Sequence, residues 1–275
     1  MLSRVLREDR RIPAGARFAI TGALSRRTDL VERTLTPIGG SPEAPFVQMD
    51  PHLWFVRPYV AHDRSPGWND PALIEGAAVT LAGLHGIAVR LQGVDLPGYD
   101  IAELLGRLSP YHWPVWTVLD RYDEFVTEMR KRSRPQADVD TVRRSLERLA
   151  KEATELRLGL VGLTHQDYRP DNILVRDGKV VAVIDWALAH RDHFLYDAVL
   201  AALHVAGHQP AEDRARATRR FVDAYLDAID VEAEAAAVRW MFRYVVTRKI
   251  AVSGRPEKWR ALEAVVGPLA GPGGA

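Results

Sequence analysis

The spacing of apolar residues divides the chain into a short front part and a longer helical part. Apolar residues recur every three or four positions over residues 72–85, 116–131 and 138–156, which is the period of an amphipathic helix. The helical pattern returns after Asp197 and continues to about residue 264. The larger part of the chain is therefore predicted to be a helical body.

The front part has shorter periods and more residues that favour turns. Residues 17–21 predict a strand, and residues 26–36 have the spacing of a helix. The prolines and glycines of positions 37–45 predict a turn region. The aromatic and β-branched segment 52–60 predicts an edge strand, and the proline-containing segment 63–71 predicts a hinge.

One β-hairpin interrupts the helical body. Apolar residues change to a period of two over residues 172–184, with Asp177-Gly178 at the centre. Asp-Gly between two apolar strands is a strong signal for a tight hairpin turn. Because such a turn brings the chain back to its starting point, Asp185 is predicted to lie near Asn172.

Composition narrows the classes of protein that remain. The 275 residues are 47% hydrophobic and 27% charged, with a formal net charge of +1 and no cysteine. This balance favours a folded protein and gives no general attraction to nucleic acid or to anionic membranes. The absence of cysteine excludes disulfides and iron–sulfur ligation. We expect a cytoplasmic protein that binds neither nucleic acid nor membrane, and the oligomeric state stays open.

The residues around the hairpin suggest phosphoryl transfer. Asp167 and Asn172 are five positions apart in the loop before the hairpin, and Asp185 follows its second strand. Oxygen ligands on opposite strands suit Mg²⁺, which takes few protein ligands and completes its shell with water and phosphate oxygens. Asp167 would lie to one side of the metal, where a carboxylate can accept a proton from a hydroxyl group.

These motifs resemble a known family. Residues 165–172 read H-x-D-x-x-x-x-N, and an Ile-Asp-Trp sequence at 184–186 places its aspartate thirteen positions after the asparagine. This pattern resembles the aminoglycoside phosphotransferase and choline kinase-like group, which are small-molecule kinases of protein-kinase-like fold. Residues 81–85 (LAGLH) and 193–200 (HFLYDAVL) resemble further motifs of that group, so the similarity covers about residues 50–205.

The resemblance implies a fold and an activity. The fold would be α+β, protein-kinase-like and two-lobed, with residues 1–60 as a reduced, mixed β N-lobe. Residues 61–275 would form a larger, mainly helical C-lobe that carries the catalytic loop and its hairpin. The chain would transfer the γ-phosphate of ATP or GTP to a hydroxyl of a small molecule. That acceptor would be an antibiotic, which implies a role in antibiotic resistance, or a metabolite.

The family's functional residues transfer onto matching positions of this chain. Asp167 would be the catalytic base, and His165 would brace its loop. Asn172 and Asp185 would bind Mg²⁺ on the nucleotide phosphates. The backbone of residues 57–60, which precede the predicted hinge, would bind the purine at Arg57, Tyr59 and Val60.

The front part departs from the family pattern, because the chain has five lysines and none precedes Lys131. If Glu32 is the family's helix glutamate, the strand position of its lysine partner falls on Arg17. Arginine keeps the positive charge but not the compact geometry of lysine. The protein is then a kinase in which Arg17 or another front arginine holds phosphate, or a kinase-fold binding module that has lost nucleotide use. A third possibility is that the chain starts at an internal methionine.

The charge of residues 201–275 bears on the acceptor, and His85 and Asp197 bear on packing. Cationic aminoglycosides call for an acidic pocket, but residues 201–275 contain slightly more basic than acidic residues. A less cationic hydroxylated acceptor is therefore at least as strongly expected as an aminoglycoside. His85 is expected to be a hydrogen-bonded core residue, and Asp197 is expected to cap the helix that follows it.

Overall fold

The structure is a computed structural model that describes the greater part of the chain. The described residues are 2–6, 14–31, 46–49, 52–91, 110–131, 136–229, 234–253 and 256–266. The description includes the backbone but not the side chains of residues 2–6, 14–17, 111 and 263–266.

Helices and short antiparallel strands make up these residues. The strands are β1 (Leu2–Leu6), β2 (Val47–Met49), β3 (His52–Val56), β4 (Val161–Thr164), β5 (Ile173–Arg176), β6 (Lys179–Val183) and β7 (His190–His193). The α-helices are α1 (Ala14–Ser25), α2 (Pro71–Val89), α3 (Val115–Asp120), α4 (Tyr122–Lys131), α5 (Gln136–Ala153), α6 (Phe194–Ala206), α7 (Arg214–Ile229), α8 (Ala235–Val252) and α9 (Pro256–Val266).

The front part is a three-stranded antiparallel sheet with one helix against it. Strand β3 lies in the middle, between β1 and β2. Phe18 of α1 packs with Leu53 and Phe55 of β3 in a small apolar cluster of their own. Ile20 and Leu24, on another face of α1, belong to the main core instead. Helix α1 therefore joins the front sheet to the helical body.

The body is centred on two apolar helices, α2 and α6. Pro71 opens α2, and the Asp70 side chain caps it by accepting a hydrogen bond from the Ala72 amide. By length and composition alone α2 is apolar enough to cross a membrane, but its apolar residues are packed in the core, mainly against α7. Helices α5 and α9 pack on α8 to complete the body.

Two strand pairs carry the loop that the sequence singled out. Strand β4 pairs with β7, and β5 pairs with β6 across the Asp177-Gly178 turn. The loop of residues 165–172 lies between β4 and β5. The front part reaches this region directly, because the Val183 amide of β6 donates a hydrogen bond to the Leu30 carbonyl at 2.6 Å.

The fold confirms the predicted α+β class, with a small sheet beside a mainly helical body and a hairpin within it. The helical segments after residue 71 and the hairpin are confirmed. The segment 116–131 forms two helices, because Arg121 interrupts it. The sequence did not predict β1, β4 or β7, which are four or five residues long.

Three predictions for the front part are wrong. The strand over 52–60 forms as β3, but it lies in the middle of its sheet and not at an edge. Residues 17–21 lie inside α1, because Ile20, Ala23 and Leu24 have helical spacing and are all buried. A window of five residues was too short to distinguish that spacing from alternation. Residues 26–31 form turns and one β-bridge rather than a helix, and residues 32–36 lie outside the described part of the chain.

Gly162 of β4 is expected to be indispensable for packing. A Cβ atom at this position would overlap the buried ring of Phe194. We expect Gly162→Ala to lower the free energy of unfolding by roughly 1–3 kcal/mol, as for other overpacked core positions. Urea denaturation measures the change.

Gly83→Ala is the matched control, because Gly83 is an exposed position inside α2 with no atom within 4 Å of the added Cβ. There alanine is expected to stabilise the helix by about 0.5–1 kcal/mol. Equal effects of the two substitutions would contradict the assigned packing of Phe194.

Candidate active site

A buried carboxylate holds the start of the 165–172 loop. Asp197 is fully buried in the first turn of α6. Its Oδ2 accepts a hydrogen bond from the His165 amide at 2.7 Å, and its Oδ1 accepts one from the Gln166 amide at 2.9 Å. The N-cap of α6 is His193, so the expectation that Asp197 caps this helix is wrong. Its partners belong to the loop.

His85 completes the surroundings of Asp197. Its Nε2 lies 3.2 Å from the Asp197 Oδ2, its Nδ1 lies 2.7 Å from the Tyr225 hydroxyl, and its ring stacks on Phe194. Burial raises the pKa of Asp197, but the hydrogen bond and charge of His85 and the amide of His165 outweigh it, so the pKa is lowered overall. His85 is thus a bonded core histidine, as predicted.

His165 connects the two ends of the site. Its Nε2 donates to the Ile184 carbonyl at 2.9 Å, and its Nδ1 accepts from the Asp167 amide at 3.3 Å. The buried ring also lies 4.6 Å, centroid to centroid, from Trp186. These bonds tie the loop before the hairpin to the strand end after it.

Asp167 and Asn172 are in direct contact. The Asn172 Nδ2 donates to both the main-chain oxygen and the Oδ2 of Asp167, each at 2.9 Å. The Asp167 side chain keeps 26% of its surface exposed, so a bound molecule can reach it. Burial raises the pKa of Asp167, and the charge of Arg169 opposes the increase.

Asp185 lies beside Asn172 at the other end of the hairpin. The Ile184 amide donates to the Asn172 carbonyl at 2.9 Å, which joins the two strand ends. Asp185 has φ 60° and ψ 63°, a left-handed conformation that costs a non-glycine residue about 1–3 kcal/mol and is concentrated at functional sites. The sequence therefore predicted the neighbouring positions of Asn172 and Asp185 correctly.

The pair Asn172 and Asp185 fits a hard cation. Both hydrogen bonds of the Asn172 amide use its nitrogen, so its oxygen is not consumed by them. An amide oxygen and a carboxylate are the donor types that Mg²⁺ binds. In the described residues, no group of three or more His, Cys, Asp or Glu side chains is arranged to hold a metal ion.

Gln166, in the 165–172 loop, also has a left-handed backbone. It has φ 66°, and its Nε2 donates to the Thr164 Oγ1 at 2.8 Å and to the Asp192 Oδ2 at 3.1 Å. Asp192 also accepts from the amides of Val115 and His193. Burial raises the pKa of Asp192 to about 6. The sequence gave no sign of this arrangement, because its members are far apart along the chain.

A cavity of about 380 Å³ lies between the front part and the hairpin. From the hairpin side, Leu174, Ala182 and Ile184 give it an apolar wall. Asp171 of the 165–172 loop also lines it. From the front side it is lined by Asp29, Val31, Arg57, Pro58, Tyr59, Val60 and His62. The structure thus brings the three predicted purine-binding positions, Arg57, Tyr59 and Val60, to one cavity. Residues 57–62 lie outside any helix or strand, so their backbone groups are not part of a sheet ladder.

The predicted pair of Arg17 and Glu32 does not form part of the site that the structure describes. Arg17 lies in α1, so it does not occupy a strand position equivalent to the family's lysine, and that prediction is wrong. Its side chain and all of Glu32 lie outside the described part of the structure.

Sequence reasoning missed two cations near Asp167. Arg169 approaches the Asp167 Oδ2 with its Nε at 3.5 Å and the Asp171 Oδ2 with its Nη1 at 3.6 Å. Lys249, in the last turn of α8, acts on the pKa of Asp167 through its charge. Arg169 lies inside the loop motif and was open to notice, whereas Lys249 is 82 positions away from Asp167 and only the fold brings it near.

Comparison with known proteins places the chain in a family. Residues 53–238, more than half of the chain, match the family described as "Phosphotransferase enzyme family" (APH). The chain therefore belongs to this family. No curated protein sequence matches it.

Solved structures of low sequence identity share the fold. The amicoumacin kinase hAmiN, in complex with AMP-PNP, Ca²⁺ and Ami, has a TM-score of 0.65 at 15% identity, over 98% of this chain and 80% of that chain. A choline/ethanolamine kinase family protein from Mesorhizobium loti has a TM-score of 0.59 at 14% identity, over 94% and 85%. A microcompartment-associated aminopropanol kinase has a TM-score of 0.58 at 16% identity, over 93% and 78%.

Asp197→Asn is expected to loosen the loop. The amide group would present a donor to one of the two main-chain N–H groups and would lose the charge that faces His85. We expect the free energy of unfolding to fall by about 1–3 kcal/mol, the cost of leaving a buried hydrogen-bonding group unsatisfied. Hydrogen exchange should also become faster at the His165 and Gln166 amides.

Tyr225→Phe serves as the control, since it removes one hydrogen bond to His85 and leaves Asp197 intact. Its expected cost is about 1 kcal/mol. If Asp197→Asn left the two amides as protected as in the wild type, the assigned role of Asp197 would be wrong.

Proposed function

We propose that this member of the phosphotransferase enzyme family transfers the γ-phosphate of ATP or GTP to a hydroxyl group of a small molecule. The observation that carries the proposal is the gathering of Asp167, Asn172 and Asp185 at one end of a hairpin that also lines a nucleotide-sized cavity. Phosphoryl transfer depends mainly on positioning and on electrostatic stabilisation, and these residues provide groups for both.

Asp167 is the proposed base. It accepts the proton of the acceptor hydroxyl while the acceptor oxygen bonds to the γ-phosphorus and the bond to the β–γ bridging oxygen breaks, which releases the nucleoside diphosphate. The hydrogen bonds from Asn172 to Asp167 orient the carboxylate for this task. A base whose pKa is raised by burial holds a proton more readily than an exposed aspartate.

The cavity is the proposed nucleotide site. Its apolar wall of Leu174, Ala182 and Ile184 suits the face of a purine ring. The backbone at Arg57, Tyr59 and Val60 offers hydrogen-bonding groups for the edge of the ring. The volume of about 380 Å³ lies within the range of small-molecule sites. Residues 1–60 then act as the lobe that covers the nucleotide, and residues 61–275 as the lobe that carries the chemistry.

Asn172 and Asp185 would hold Mg²⁺. The ion, when bound, neutralises charge on the nucleotide phosphates. His165 keeps the two ligand positions and Asp167 in a fixed relation through its bonds to Ile184 and to the Asp167 amide.

The acceptor is proposed to be a hydroxylated antibiotic or metabolite in the cytoplasm, where nucleoside triphosphates are present. A kinase-fold binding module without transfer activity is the second candidate. Arg17 favours it, since this residue lies in a helix and not at the strand position where the family carries its lysine. Nucleotide affinity that depends on Mg²⁺ separates the two, because only the kinase requires it.

Substitution of the proposed base and metal ligand tests the chemistry. We expect Asp167→Asn and Asp185→Asn each to lower turnover by at least about 100-fold, the lower end of what a general base contributes. Far-UV circular dichroism and thermal unfolding should show that both variants are folded. Turnover is measured as nucleoside diphosphate release with a panel of hydroxylated acceptors.

Asp177→Asn is the matched control, because Asp177 in the hairpin turn also has a left-handed backbone, with φ 52°. Asparagine tolerates this conformation, so the control tests the same substitution in similar backbone geometry away from the site. Retained turnover in both site variants would overturn the site assignment.

Calorimetric titration with ATP and GTP, with and without Mg²⁺, tests nucleotide use directly. We expect binding that Mg²⁺ strengthens, and we expect the Asp185→Asn variant to lose this dependence. Absence of binding by either nucleotide would favour the binding module over the kinase.

A further inference from the structure

We propose that Arg169, Lys249 and Lys258 form a binding site for an anionic group, a carboxylate or a phosphate, of the acceptor molecule. This proposal rests on the proposed phosphotransferase function and specifies its substrate class. The three cations come from the catalytic loop, the end of α8 and the start of α9. The charges of all three reach His204, and those of Arg169 and Lys249 also reach Asp167.

Arg169 forms the part of this site nearest to the proposed base. Its Nε lies 3.5 Å from the Asp167 Oδ2, yet this buried nitrogen has no hydrogen-bond partner. A buried donor without a hydrogen-bond partner is unfavourable, and an acceptor group of a bound molecule would satisfy it. The side chain keeps 42% of its surface exposed, so it can be reached from solvent.

Lys249 approaches the same region from α8. It is partly buried, and its Nζ lies 5.9 Å from the centre of the Trp259 ring. Burial and the charge of Arg248 lower its pKa to about 8, against the opposing effect of Asp167. An anion that binds beside this lysine would stabilise its charged form.

Lys258 extends the site along α9. Its side chain passes over Gly207 so closely that a Cβ there would lie 3.2 Å from the lysine Nζ. The charges of Lys258, Lys249 and Arg169 all lower the pKa of His204. The Nε2 of His204 is buried and has no hydrogen-bond partner, so a second polar atom of this region is unsatisfied.

The balance of charge favours an anionic ligand. Among the described residues, no carboxylate lies within ion-pair distance of Lys249 or Lys258. Asp167 and Asp171 contact only Arg169 in this cluster. An acceptor rich in amines would meet the two lysines, which have no carboxylate partner in the described part of the chain, whereas a carboxylate or phosphate would form charge-assisted hydrogen bonds with them.

The γ-phosphate of the nucleotide is the other anion available to the cluster, and the lining of the nucleotide cavity favours the acceptor over it for the two lysines. Helices α8 and α9 contribute no residue to the lining of the nucleotide cavity, which is formed by the front part and the hairpin. Lys249 and Lys258 are therefore not part of the proposed purine site, whereas Asp171, which pairs with Arg169, lines it.

Sulfate binding to the full chain tests the proposal, with the nucleotide site filled. Binding of AMP-PNP·Mg²⁺ alone is measured first and tests the proposed function separately. Sulfate is then titrated by calorimetry at constant ionic strength, once with AMP-PNP·Mg²⁺ and once with ADP·Mg²⁺. The wild type is compared with the double variant Lys249→Gln/Lys258→Gln, and with Lys258→Gln alone in case the double variant does not fold.

We expect saturable sulfate binding in the presence of AMP-PNP·Mg²⁺ and a loss of about tenfold or more in affinity in the double variant. Lys151→Gln is the control, because Lys151 is exposed on α5 and paired with Glu147. It should bind sulfate like the wild type. No saturable binding to the wild type, or equal binding by the double variant, would overturn the proposal.

The two nucleotides distinguish the possible sources of the anion. AMP-PNP fills the γ-phosphate position and ADP leaves it open. Sulfate that binds with ADP·Mg²⁺ but not with AMP-PNP·Mg²⁺ would assign the cations to the γ-phosphate and overturn the acceptor assignment.

The pH dependence of sulfate binding gives an independent readout of Lys249. Sulfate stays a dianion throughout, and Lys249 loses its charge as the pH rises through about 8, so affinity should fall between roughly pH 7 and pH 9. Lys249→Gln should remove this dependence, and an unchanged profile in that variant would contradict a role for Lys249. The charged groups that act on Lys249 are Arg248, Arg169, Asp167 and Asp197.

Discussion

The geometry of the site depends on one buried carboxylate. Asp197 is ionised although it has no contact with water, because two loop amides and His85 surround it with donors. Those amides belong to His165 and Gln166, and Gln166 has a left-handed backbone that an unsupported loop would abandon. The cost of burying a charge is therefore used to specify one conformation of the loop. A hydrophobic residue at position 197 could stabilise the core equally well, but it would leave two main-chain donors unsatisfied and the loop without its anchor.

His165 connects the Asp197 carboxylate to the part of the site that follows the hairpin. The Asp197 carboxylate fixes the backbone at His165, and the ring of that histidine holds Ile184, the residue before Asp185. The two oxygen donors Asn172 and Asp185 are thus positioned by both ends of the same hairpin. The front part contributes through a hydrogen bond between Val183 and Leu30, which closes the cavity from the other side. A change at any of these connections alters the site without touching a reacting group.

The sequence predicted those features that local pattern determines. The hairpin and the pairing of Asn172 with Asp185 followed from an Asp-Gly turn between apolar strands, and the long helices followed from their period. The helix α1 was missed, because a short alanine-rich segment does not reveal its period in five residues. The partners of Asp197 and the position of Lys249 were missed for another reason. Their contacts join residues that are 32 and 82 positions apart, and only the packing of α6 and α8 on the loop brings them together.

The same division explains why the family motif identifies the chemistry better than the acceptor. Asp167, Asn172 and Asp185 lie within nineteen consecutive residues, so a motif can contain them. The proposed acceptor side is built instead from the ends of helices that are distant in sequence and follow no motif of their own. In the proposed site, cations at those positions would change the class of molecule that approaches Asp167 without altering the proposed base or metal ligands. Phosphoryl transfer can therefore persist in a fold while the charge of the acceptor changes, because the two properties depend on different parts of the chain.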